Sequence, residues 1–169
     1  MLTTATKKLV ERVEVETPFN FGGLVAAFER QLGHYDKAIG EELVRRHASW
    51  AEVTAAMDRI SGPHGLMIMA HLELGRTVSL TGSLVECSLY LVGNPLIISE
   101  ITDVKAGMLV PFRVELYADA GKSVISYDRP SSSLDTLDNR ALDALGSSLD
   151  AKMQSLIGAL ASPVDTTVK

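Results

Sequence analysis

The stretch Val110–Tyr127 reads Val-Pro-Phe-Arg-Val-Glu-Leu-Tyr-Ala-Asp-Ala-Gly-Lys-Ser-Val-Ile-Ser-Tyr, and its reading decides the fold class. Two runs rich in β-branched and aromatic residues, 110–117 and 123–127, flank Asp119-Ala120-Gly121-Lys122. A short polar break carrying glycine between two such runs is a hairpin signal. Upstream, residues 84–92 read as a further strand that ends at the turn Gly93-Asn94-Pro95. Before that, Leu66, Ile68, Ala70, Leu72 and Leu74 alternate with Met67, Met69, His71 and Glu73. Period two predicts a strand up to Gly75, with Thr77–Leu80 continuing it or pairing with it.

Helices frame these strands. After a first strand over 9–16, with its Val13-Glu14-Val15-Glu16 alternation, Asn20 is placed to cap a helix. Its apolar stripe is Phe21, Leu24, Val25, Phe28 and Leu32, and Gly33 is its expected stop. Residues 36–47 predict a second helix with Ile39, Leu43 and Val44 inward. Ser49-Trp50-Ala51-Glu52 is a capping-box pattern that opens a third, with Trp50, Val53, Met57 and Ile60 on one face. A short helix is expected over 96–104. The last helix, capped by Asp138, repeats Leu142, Leu145, Leu149, Met153, Leu156 and Leu160 at helical spacing. The order predicts one α+β domain over 1–163, with a helical insertion at about 36–60 and a loose tail over 164–169.

Composition sets the bounds on function. A net charge of −5 with scattered basic residues argues against nucleic acid or an anionic membrane as partner. The apolar runs fall far short of the ~20 residues of a membrane-spanning helix. One cysteine, Cys87, rules out an internal disulfide and a multi-cysteine zinc site, and fits a reducing cytoplasm. The N-terminus shows no apolar segment of signal-peptide type, so a cytoplasmic location is expected. The dinucleotide, P-loop, nucleophile-elbow and zinc-protease motifs are absent, and no cofactor is expected.

Leu-Val-Gly-Asn-Pro at 91–95, Leu-Val-Pro at 109–111, Arg-Val-Glu-Leu-Tyr at 113–117 and Tyr-Asp-Arg-Pro at 127–130 carry a further signal. Their order and spacing resemble the bacterial family numbered three hundred and two among domains of unknown function. The resemblance covers roughly residues 84–134. It implies a curved antiparallel sheet with helices packed on one face, in a TBP-like layout, and a homodimer. No activity comes with it. Members commonly carry an Asp-His pair where this chain has His71-Leu72-Glu73, so a role of that pair does not transfer.

The candidate site residues are His71, Glu73, Asn94, Arg113 and Tyr127. A histidine two residues from a glutamate on one strand face is placed for a base with its orienter. Packing of that face, with Met67 and Met69 filling gaps, is the alternative. Asn94 stands at a strand-to-helix junction, where it either caps the next turn or orients a ligand carbonyl. Arg113 suits a carboxylate. Tyr90, Tyr117 and Tyr127 either line one cavity or mark sheet edges. Cys87 reads as a buried, inert thiol. Together with the homodimer that the resemblance implies, these features predict a domain that binds a small organic or anionic ligand at the sheet face. The alternatives are a proton-transfer enzyme with a His71 base, a metal or haem protein using His71 with Met67, Met69 or Cys87, and a pure self-association module.

Overall fold

The computed structural model describes residues 1–101 and 103–161, so the expected loose tail lies outside the described residues. The quoted stretch forms the hairpin that its glycine break predicts, as β5 (Phe112–Asp119) and β6 (Lys122–Asp128). Gly121 sits at φ +80° in the turn, a conformation that favours glycine. The remaining strands are β1 (Arg12–Thr17), β2 (Gly33–His34), β3 (Met67–Leu72) and β4 (Cys87–Gly93). Together they make one sheet in the order β1-β6-β5-β4-β3-β2. Every neighbouring pair is antiparallel except β2 with β3.

Among the described residues six α-helices accompany them: α1 (Phe21–Arg30), α2 (Lys37–Arg45), α3 (Trp50–Ile60), α4 (Leu74–Val78), α5 (Pro130–Asp135) and α6 (Asp143–Ala161). The sequence signals for α1 and α3 act as expected. Asn20 accepts the Gly23 N–H at 2.8 Å, and Ser49 and Glu52 close a reciprocal capping box. In α6 the predicted stripe from Leu145 to Leu160 is buried against the sheet.

Register divides the sheet into two chemically different faces. Val114 opposes Tyr127 and Leu116 opposes Ile125, while Val13 and Val15 oppose the same two β6 residues from the other side. With Tyr90 and Val92 of β4 they form the main core with Leu24 and Phe28 of α1 and Leu149 and Met153 of α6. The alternate residues, among them Arg12, Glu14, Arg113 and Glu115, face away from these helices.

A second, smaller core lies at the β2 end, where Met67 meets Leu43, Ala56 and Met57. Met67 points opposite to Ile68, which belongs to the main core. The α2–α3 excursion therefore covers the other face of the sheet at that end.

Several sequence expectations are corrected. A register shift between Ile68 and Ala70 breaks the strict alternation of β3, so Met67 and His71 do not share a face. Residues 74–81 are helical rather than a strand, with α4 running into a 3₁₀ turn at Ser79–Thr81. The short helix expected over 96–104 is two 3₁₀ turns, Pro95–Glu100 and Val104–Met108. Val44 and Trp50 are exposed, not inward.

Gly33 opens β2 instead of ending α1, and its need for glycine is spatial. A Cβ there would lie 1.9 Å from the Ile60 carbonyl oxygen, because the chain entering β2 passes directly under the end of α3. Gly33→Ala is expected to lower the unfolding free energy by at least about 2 kcal/mol, the cost of forcing extra atoms into a packed contact. Urea denaturation measures it, and an unchanged midpoint would contradict this packing.

Candidate functional site

The face of the sheet turned away from α1 and α6 presents a row of charge. Arg12 of β1 opposes Asp128 of β6, and the pairing of Val114 with Tyr127 brings Arg113 alongside the same aspartate. Arg12 Nε donates to Asp128 Oδ1 at 2.6 Å, so those two charges hold each other. On the neighbouring strand Leu91 opposes Arg113 and Leu89 opposes Glu115, which gives the row an apolar flank.

Two depressions meet at Arg113. One, of about 260 Å³, is bordered by Arg12, Leu74, Leu89 and Glu115. The other, of about 450 Å³, is bordered by Leu91, Leu109 and Pro111. Arg113 itself is exposed and makes no hydrogen bond or ion pair to any described residue. Its guanidinium, a planar donor group suited to bidentate binding of a carboxylate, is therefore free.

Beside it, the Cys87 thiol donates to Glu115 Oε1 at 3.1 Å. Burial, then the bond to Glu115 and its negative charge, push the thiol pKa up to about 11. The thiolate, which is the reactive form, is suppressed at neutral pH.

The expected site residues separate in the fold. Arg113 and Tyr127 both border the 260 Å³ depression, while His71, Glu73 and Asn94 do not. The register sends the Tyr127 ring to the helix-covered side, leaving its backbone to line the open face. His71 stacks on Tyr90, with ring centroids 4.2 Å apart and planes at 6°. The Tyr90 hydroxyl in turn donates to Glu29 of α1 at 2.9 Å. Glu73 takes a hydrogen bond from Arg76 at 3.0 Å, not from His71.

Asn94 is buried and spends its amide on the fold. Its oxygen accepts the Leu96 N–H at 2.9 Å, and its nitrogen donates to Ser61 Oγ at 3.1 Å and to the Gly65 carbonyl at 3.0 Å. It ties the end of β4 to the loop after α3. Among the described residues no group of three or more His, Cys, Asp or Glu side chains is placed to hold a metal ion. No described helix is long and apolar enough to cross a membrane.

A further hollow, of about 630 Å³ between α2 and α3, is walled by Leu43, Val53, Met57 and Pro95. Its cations are engaged, Lys37 by Glu41 and Arg45 by Glu42. Tyr35 and His47 also border it, and neither side chain has a hydrogen-bond partner among the described residues.

A family model described as "Domain of unknown function DUF302" matches residues 42–160, well over half of the chain. The chain belongs to the DUF302 family. It is also similar to the crystal structure of an uncharacterized conserved DUF302 protein from Bacillus stearothermophilus, with a TM-score of 0.62 and 11% identity. That likeness covers 88% of this chain and 97% of the other, and it shows a shared fold. No curated protein matches the sequence. The four motifs that carry the resemblance all fall inside the matched range.

Sequence reasoning missed Arg12 and Glu115 as neighbours of Arg113. The signal lay in the strand alternation, which puts Arg113, Glu115 and Tyr117 on one face once the hairpin register is known. The state of the thiol gives a direct check of this face. Alkylation of Cys87 by iodoacetamide is expected to follow a pH profile centred near pH 11 rather than near the ordinary 9.0, because burial and Glu115 both favour the protonated form. Glu115→Gln should move that profile to lower pH without restoring it fully, since burial is the larger cause. A wild-type profile centred near 9 would contradict the contact.

Proposed function

We propose that this chain is a small-ligand-binding domain, acting as a homodimer in the cytoplasm, that takes an organic anion on the open face of its sheet. The observation that carries the reading is the free guanidinium of Arg113 at the meeting point of two depressions. Its neighbour Arg12 is already committed to Asp128, so Arg113 is the cation with capacity to spare. Leu74, Leu89 and Leu91 offer an apolar wall on the same face. A few convergent polar groups beside apolar walls are the usual makeup of a small-molecule site.

The ligand class follows from this pairing of groups. A carboxylate meets the Arg113 fork, and an aromatic or branched aliphatic body lies along the leucines of β4. Self-association has support in the apolar side chains left exposed elsewhere, among them Val44, Trp50, Leu80, Leu84, Val104 and Met108. The single free Cys87 suits a reducing compartment. Nothing in the reading requires a catalytic step.

Calorimetric titration with benzoate and with benzamide tests the ligand class. Benzoate is expected to bind and benzamide to bind much more weakly. Arg113→Gln should weaken benzoate by about tenfold or more, the worth of a hydrogen bond to a charged group. Equal affinity of the two probes, or of wild type and variant for benzoate, would remove the proposal. Light scattering is expected to give twice the chain mass of 18.2 kDa. A monomer at high protein concentration would remove the dimer.

A further inference from the structure

The opposite side of the same ladder carries a second cleft, of about 380 Å³, between β1 and α6. Val13 and Val15 of β1 and Ile157 of α6 wall it, and Tyr127, Arg129, Asp150 and the neutral amide of Gln154 supply its polar groups. Arg129 and Tyr127 each hold a donor without an acceptor on the inner side of this cleft. Arg129 Nε is buried and has no hydrogen-bond partner among the described residues, although Nη2 of the same guanidinium donates to Glu11 Oε1 at 2.7 Å. The Tyr127 hydroxyl likewise makes no hydrogen bond to a described residue, on a side chain that is otherwise within the core.

Buried polar side-chain atoms in folded proteins are nearly always paired, so an orphaned N–H beside a cleft points to an acceptor from outside the chain. Asp150 is not that acceptor. Its two oxygens take the backbone N–H of Ser131 at 3.0 Å and the Ser131 hydroxyl at 2.5 Å.

Charge decides the class of acceptor. Arg129 is offset by Glu11, with which it pairs, and Asp150 adds one further negative charge. An incoming anion would meet net negative charge, whereas a neutral oxygen would not. Burial raises the Tyr127 pKa, opposed by Arg129 and reinforced by Asp150 and Glu11, so the phenol keeps its proton at neutral pH.

We propose that this cleft binds a small neutral molecule bearing a carbonyl oxygen on a branched apolar body. The oxygen accepts from Arg129 Nε and the Tyr127 hydroxyl, and the body packs against Val13, Val15 and Ile157. The site lies across the sheet from Arg113 and does not depend on the anion-binding reading.

Titration of the full chain with isobutyramide and with isobutyrate tests it, two probes of the same shape that differ in charge. The readout is the NMR signal of the Arg129 Nε–H together with the methyl signals of Val13, Val15 and Ile157. Isobutyramide is expected to shift these signals saturably, and isobutyrate to bind at least about fivefold more weakly. Tyr127→Phe should weaken isobutyramide by about five- to tenfold, the loss of one hydrogen bond. Arg113→Gln should leave it unchanged. Absence of a saturable shift overturns the proposal. Equal or tighter binding of isobutyrate to the wild-type chain overturns it as well, whether or not the Tyr127 variant folds.

Discussion

The register of the β5–β6 hairpin is the constraint on which the rest of the molecule depends. A one-residue slip in a sheet exchanges its two faces. Here it would send Arg113, Glu115 and Ser126 into the packing against α1 and α6, and would expose Val114, Leu116 and Ile125. Burying those charges unpaired costs far more than any single contact returns, so the hydrophobic side fixes the register and the polar side follows. The tight turn at Ala120-Gly121, both at positive φ, sets the same register locally. Local turn chemistry and global packing therefore agree.

Two consequences run outward from that ladder. On one side β1, β6 and β5 line up Arg12, Asp128 and Arg113, with the leucines of β4 beside them. On the other side the same strands give Val13, Val15 and Tyr127 to the space under α6. At the far edge the sheet needs a separate device. The bulge in β3 turns Met67 toward α2 and α3 while Ile68 stays in the main core. Asn94 and the close approach of Gly33 to Ile60 then pin the excursion to the strand ends.

Much of the fold was legible in the sequence, because its strongest signals are local. The hairpin, the Asn20 cap, the Ser49 capping box and the α6 stripe each depend on a few neighbouring residues. What escaped depends on residues far apart. A two-residue strand such as β2 has no periodicity to detect, and it exists because the Gly33 N–H meets the Leu66 carbonyl at 2.9 Å. The β3 bulge is invisible in a sequence whose alternation runs unbroken from Leu66 to Leu74. That bulge also separates His71 from the face of Met67, on which strict alternation sets it. The site was less legible than the fold. Arg113 could be singled out as a strand arginine, but its freedom from ion pairs rests on Arg12 having claimed Asp128 from a strand a hundred residues away. Arg129 stood in the Tyr-Asp-Arg-Pro motif, yet its orphaned Nε appears only once Glu11 and Asp150 are in place.

The central claim is that the ladder presents a free guanidinium on one face and a buried, unpaired N–H on the other. Side-chain hydrogen exchange of the arginine Nε–H groups in the ligand-free protein tests it most directly. The account predicts fast exchange at Arg113, slower exchange at Arg12 because of Asp128, and slow exchange at Arg129 because it is buried. Protection at Arg113 equal to that at Arg129 would mean that the open face is covered in solution, and would contradict the account.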